Sequence, residues 1–154
     1  MRALGFLLLA LTWAGLVDVS AQGDARDFGN RNQGSAGSGS MELLTPTEGV
    51  DFRPYLSRLY HSVKRIWFER MPESVRLGER GKVAVRFQIL PDGTLPEKRL
   101  VVESVSGSKE LREAATSAIK TSAPFESLPS AFKGPHIELR LTFLYNLPLS
   151  AAKP

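Results

Sequence analysis

The stretch GKVAVRFQILPDGT, residues 81–94, decides the fold. Val83, Val85, Phe87 and Ile89 alternate with Ala84, Arg86, Gln88 and Leu90. Successive side chains of a strand point to opposite faces, so the alternation predicts a strand with one buried face. Pro91-Asp92-Gly93-Thr94 then breaks it. Proline presets its own φ and glycine supplies a positive one, so a turn is expected there. A second strand, about Glu97–Val105, returns as the other arm of a hairpin. On the upstream side, Gly78 and Gly81 bracket a turn.

Downstream, Ser106-Gly107-Ser108 ends the hairpin and offers a helix cap at Ser108. Leu111, Ala114, Ala115, Ala118 and Ile119 recur at i, i+3, i+4, i+7 and i+8, which predicts a helix to about Ser122. Its apolar stripe is mostly alanine, so it can lie close to a sheet. Ala123-Pro124-Phe125 ends it, and a Pro/Ser loop runs to Pro135. The last strand is His136–Tyr145. Ile137, Leu139, Leu141, Phe143 and Tyr145 share one face; Glu138, Arg140, Thr142 and Leu144 share the other. Upstream, Phe52, Leu56, Leu59, Val63, Ile66 and Trp67 mark an amphipathic helix over about 51–70. Asp51 is its expected N-cap, Pro54 is tolerated in its first turn, and Pro72 ends it.

The element order is α-β-β-α-β. The connection from the second strand to the last contains a helix and is therefore a crossover. A right-handed crossover over the first strand gives the sheet order 2-1-3. The expected fold is α+β, with two helices packed on one face of a three-stranded antiparallel sheet. The last strand then lies at an edge with unpaired backbone groups. Such an edge can accept an extended peptide, or it can be covered by the linker or the C-terminal tail. Its guarding charges are Glu138 and Arg140, of opposite sign.

The 154 residues suit one domain with flanking segments. Residues 1–21, MRALGFLLLALTWAGLVDVSA, carry Arg2 ahead of an apolar run from Ala3 to Val17. A spanning helix needs ~20 apolar residues. The run is therefore read as a signal peptide with cleavage after Ala21, or else as a short membrane anchor. Residues 22–50 hold six of the thirteen glycines and read as a flexible linker. Residues 51–147 are the expected domain and 148–154 a tail.

Chemistry is sparse. Cysteine is absent, which excludes disulfides, thiolate metal sites and cysteine nucleophiles together. Of the two histidines, His61 lies at i+4 from Ser57 on the first helix, a spacing usual for two solvated polar residues, and His136 opens the last strand. No catalytic, metal or cofactor constellation is found, so an enzyme is not expected. The net charge of +4 is mild. Arg58, Lys64, Arg65, Arg76, Arg80, Lys82 and Arg86 could form a basic face towards a membrane surface or an acidic partner; an exported chain has no use for nucleic acid.

The ordered series Tyr55-Leu56, Val63, Trp67, then residues 81–87, Pro91-Asp92-Gly93-Thr94, residues 102–108, Ala123 to Pro129 and Leu141 to Tyr145 resembles the C-terminal domain of TonB and TolA proteins over about residues 51–146. The resemblance implies a periplasmic domain that binds extended peptide segments of outer-membrane or other envelope proteins by β-strand addition. It implies a part in outer-membrane transport or envelope energy coupling, with inner-membrane motor proteins as further partners. The implied contact strand is the last one: Ile137, Glu138, Leu139, Arg140, Leu141, Thr142, Phe143, Leu144 and Tyr145. The short apolar run lacks histidine, and the Gly/Ser-rich spacer of 29 residues reaches ~30 Å as a relaxed coil. Both features depart from the family's energy transducers and keep open a soluble periplasmic adaptor or envelope structural domain without energy coupling.

Overall fold

The computed structural model describes residues 36–153. The signal-peptide reading and the first 14 of the 29 linker residues, 22–35, lie outside those residues. Within them the order is β1 (Gly37–Leu43), α1 (Arg53–Glu69), α2 (Glu73–Arg76), β2 (Gly81–Ile89), β3 (Leu100–Ser106), α3 (Lys109–Ser122) and β4 (Ile137–Tyr145). Short 3-10 turns precede β3 at Glu97–Arg99 and follow β4 at Leu149–Ala152.

The strands form one antiparallel sheet in the order β1-β4-β2-β3. The α+β class and the relative order of the three expected strands are those of the sequence reading. The strand number is not: the sheet has four strands. The fourth, β1, lies inside the stretch expected to be a flexible linker. It pairs with β4 from Gly37↔Tyr145 to Leu43↔Leu139. Of the two outcomes the sequence left for this edge, open or covered, the structure shows it covered by part of the linker, and β4 is an internal strand.

The physical reason lies in GSGSMEL, residues 37–43. Its low-complexity composition hides a period of two. Gly37, Gly39 and Met41 are buried, while Ser38, Ser40 and Glu42 are only half-buried on the other face. The glycines sit where large side chains leave no room. A Cβ on Gly37 would stand 2.5 Å from Cη2 of Trp67, and one on Gly39 would stand 2.6 Å from the Thr142 carbonyl oxygen.

Helix α1 buries Tyr55, Leu56, Leu59, Tyr60, Val63, Ile66 and Trp67, and α3 buries Leu111, Ala114, Ala115, Ala118 and Ile119. They meet the inner sheet face, where Val83, Val85, Phe87, Ile89, Ile137, Leu139, Leu141, Phe143 and Tyr145 are at most 3% exposed. Each large side chain so buried contributes ~1.5–3 kcal/mol of transfer free energy. Asp51 lies one residue outside the observed N-cap, Phe52, yet its carboxylate accepts the Arg53 amide (3.0 Å) and so still satisfies the first turn. Ser108 is the N-cap of α3, but its hydroxyl makes no capping bond. Instead the Glu79 carboxylate accepts the Ser108 amide at 2.9 Å, placing a negative charge at that helix end.

Three further differences are local. The chain after Pro72 makes α2 before turning at Gly78, whose φ is +100°, and Gly81 belongs to β2. The second hairpin arm starts at Leu100 because Glu97–Arg99 coil into a 3-10 turn. The register of β2 with β3 shifts between Ala84↔Ser104 and Val85↔Val102, which leaves Glu103 as the extra residue of a bulge. The turn at Pro91–Thr94 is as expected. Gly93 takes φ +89° and its carbonyl accepts the Phe125 amide (2.9 Å), docking the loop after α3.

Candidate peptide-pairing site

Strand β4 supplies all nine residues expected to contact a partner. Ile137, Leu139, Leu141, Phe143 and Tyr145 face the helices and belong to the core. They anchor the strand in the core. The opposite face carries Glu138, Arg140, Thr142 and Leu144. Thr142 and Leu144 are buried too, at 4% and 0% exposure, because the tail turn Leu149–Ala152 packs on β1 and β4.

Backbone direction separates the two sets more sharply. The Glu138 carbonyl accepts the Leu44 amide (2.8 Å), and the Glu138 amide donates to the Thr45 hydroxyl (2.7 Å). Glu138 therefore aims both its backbone groups towards β1. In an antiparallel ladder this repeats at every second residue. Arg140, Thr142 and Leu144 present their N–H and C=O groups to β1, and the odd-numbered residues present theirs to β2. The nine expected residues form one continuous strand, but only the even-numbered ones address a strand in the position of β1.

Charge is organised around Arg140. Its guanidinium contacts Glu42 of β1 at 2.9 Å and Glu103 of β3 at 2.6 Å. Arg86 of β2 lies 3.1 Å from Glu103 and 3.5 Å from Glu138. The bulge at Glu103 turns its carboxylate onto this outer face, so the cluster ties all four strands. The hydrogen bond from Arg140 is the main cause that holds the Glu103 carboxyl below its ordinary range. Hydrogen bonding to Glu103 likewise raises the Arg140 guanidinium further. Beside the cluster is an open groove of about 820 Å³, floored by Ala84, Ser104 and Thr142 and walled by Leu149 and Lys153 of the tail.

Other candidate residues disperse. His61 is exposed on α1, edge-on to Tyr60 with ring centroids 6.2 Å apart. The expected basic face is not one face. Arg65 and Arg76 pair with Glu69 and Glu73 along the helices, Arg58 pairs with Glu126 of the loop after α3, and Lys64 lies over the rings of Tyr60 and Phe68. Lys82 and Arg86 belong to the opposite side of the sheet, where Lys82 donates to the Lys153 carbonyl. Among the described residues no group of three or more His, Asp or Glu is placed to hold a metal ion. No helix among them is long and apolar enough to cross a membrane.

The sequence reading missed Gly37, Gly39, Met41 and Glu42. The alternation of small and polar residues running into Met41-Glu42-Leu43 was the available signal.

The model of the family described as Gram-negative bacterial TonB protein C-terminal matches residues 72–147. This segment is a TonB-family C-terminal domain. The match spans α2 to β4, and β1 and α1 complete the sheet and core from outside it. The chain is also similar to the C-terminal domain of TonB from Helicobacter pylori, known from a solution structure. The identity is 22% and the TM-score 0.44, with 65% of this chain and 86% of that one covered. No curated protein matches the chain. TonB C-terminal domains are periplasmic protein-interaction domains of Gram-negative bacteria, with outer-membrane receptors among their partners and roles in envelope transport or energy coupling.

Proposed function

We propose that this TonB-family domain serves outer-membrane transport or envelope energy coupling by pairing β4 with an extended segment of an outer-membrane or other envelope protein. The partner strand takes the place that β1 holds in the closed form. The observation that carries the reading is the nature of β1. It offers β4 a full antiparallel ladder, yet five of its seven residues are glycine, serine or glutamate and contribute little apolar burial. Only Met41 and Leu43 bring large apolar side chains to the helices. Glycine in a strand carries an entropic cost and packs nothing. A strand held mainly by backbone bonds can be exchanged for another that makes the same bonds. Binding, not catalysis, is the activity.

A reversible lock tests this. Ser40 and Thr142 are directly paired on the outer face, and the chain has no cysteine. Opposed Cα atoms in such a pair lie ~5.5 Å apart, within disulfide reach. The full-length Ser40→Cys/Thr142→Cys protein, oxidised, is expected to lose cross-linking to envelope proteins that the unaltered protein cross-links, and to regain it on reduction. Equal cross-linking in both states would overturn the reading.

A further inference from the structure

The seat of β1 is not a neutral edge, and its shape states which strands can enter. This inference rests on the strand exchange proposed above and adds the sequence of the incoming strand. We infer that β4 admits an antiparallel segment of the pattern glycine, any residue, glycine, any residue, large unbranched apolar residue, acid. The two glycines stand opposite Tyr145 and Phe143, the apolar residue opposite Leu141 and the acid opposite Arg140.

Each position has its own physical cause. Opposite Phe143, the strand runs so close that a Cβ on Gly39 would meet the Thr142 carbonyl oxygen at 2.6 Å. That atom belongs to the backbone of an internal strand and cannot yield. Opposite Tyr145, a Cβ on Gly37 would meet Trp67 at 2.5 Å and 2.9 Å, and Met71 Cε at 3.0 Å. Trp67 is 2% exposed and its indole N–H is bonded to the Tyr145 hydroxyl, so the ring has no other place. Opposite Leu141 the need reverses. Met41 is 2% exposed within the core cluster, so a small residue there would leave a cavity. Opposite Arg140, Glu42 supplies one of two carboxylates on the guanidinium. A cation there would face Arg140 directly. The residues opposite Thr142 and Leu144 lie on the outer face, where serine is found here. The partner class is thus an envelope-protein segment rich in glycine at its start and ending in an apolar-acid pair, unlike a uniformly β-branched strand.

Synthetic peptides and the full-length protein test it. The probe is the heptapeptide Gly-Ser-Gly-Ser-Met-Glu-Leu. It is compared with versions carrying alanine for the second glycine, serine for methionine, or lysine for glutamate. The receiving protein is the full-length Gly39→Ala variant, in which the chain's own β1 is disfavoured. Full-length Met41→Ser, which weakens β1 without crowding β4, serves as a second receiver should Gly39→Ala fail to fold. Binding is read from backbone amide shifts of residues 138–144. The parent peptide is expected to bind the variant at least ~10-fold more tightly than it binds the unaltered protein, and the alanine version to bind ~10-fold or more weakly than the parent, a difference of ~1.4 kcal/mol or more from overpacking. The serine and lysine versions are expected to bind more weakly as well. Equal binding by all four peptides would overturn the pattern and leave strand exchange standing. Binding by none, with β1 displaced, would overturn both.

Discussion

The indole N–H of Trp67 donates a 2.8 Å hydrogen bond to the Tyr145 hydroxyl, which itself donates 2.7 Å to the Leu111 carbonyl. The two rings meet edge to face at 5.1 Å. One buried chain of bonds thereby fastens α1 to the end of β4 and β4 to the first turns of α3. It also fixes the indole that excludes a side chain at Gly37. This fastening of the core and the shape of the β1 seat rest on the same pair of residues.

Trp67→Ala removes the ring from the centre of that packing. We expect a loss of ~3–5 kcal/mol in denaturant unfolding, as for large aromatic truncations. Tyr145→Phe keeps the ring but leaves the buried indole N–H without its acceptor, while the Leu111 carbonyl keeps its helical hydrogen bond, so a loss of ~1–3 kcal/mol is expected. A change under about 0.5 kcal/mol for both would show that the fastening contributes nothing.

The carboxylate of Glu103 gives the fold an acid-sensitive element. Its side chain is 25% exposed and its partner Arg140 37%, so solvent screening limits the pair to ~0.5–1 kcal/mol. Hydrogen bonding from Arg140 depresses the Glu103 carboxyl. A depressed carboxylate contributes stability that is fully present above its unfolded pKa of ~4.3 and is lost as pH falls through the lower folded value. Stability should decline below about pH 4.3, and Arg140→Met should decline less steeply there while being slightly weaker at neutral pH. Parallel acid profiles of the two proteins would contradict this.

Alkaline titration probes the opposite end. Burial, followed by the charge of Glu126 and offset by Arg58, pushes the Tyr55 hydroxyl up to about 12. Burial also raises Tyr145, against the lowering effect of the Trp67 hydrogen bond. Both are neutral when folded, so their contribution is fully present below the unfolded value near 10 and is lost as pH rises towards the folded ones. Ultraviolet absorbance should show most tyrosine ionisation above pH 11 in the native protein and near pH 10 in denaturant. Native titration near 10 for all three tyrosines would refute the burial.

Proline separates the two sides of β4. Thr142 aims its amide at β1, and Leu141 aims its amide at β2, by the parity set at Glu138. Thr142→Pro should release β1, with exchange protection lost at residues 37–43, while a cooperative unfolding transition persists. Leu141→Pro should abolish that transition. If Thr142→Pro keeps residues 37–43 protected, the parity is wrong.

The local elements were legible because their signals are local. Val83 to Ile89 alternate, the helical stripes repeat, and Pro91-Asp92-Gly93-Thr94 encodes its own turn. The right-handed crossover then gives the order of the three strands, and burial of one face places both helices. The nine residues of β4 could likewise be read as a strand. What its sequence could not show is that both its edges are filled. GSGSMEL carries almost no intrinsic strand preference, since glycine and serine favour coil. It becomes a strand because Trp67 and Thr142 leave a seat too narrow for a Cβ at two alternate positions, and because Met41 fills the core beyond them. The bulge that swings Glu103 under Arg140 is decided in the same way, by contacts between residues far apart in the chain. The sequence by itself determined which segments form elements and which faces they bury. Only the tertiary structure decided what closes the edge of β4, because a glycine is informative only when its neighbours across the sheet are in place.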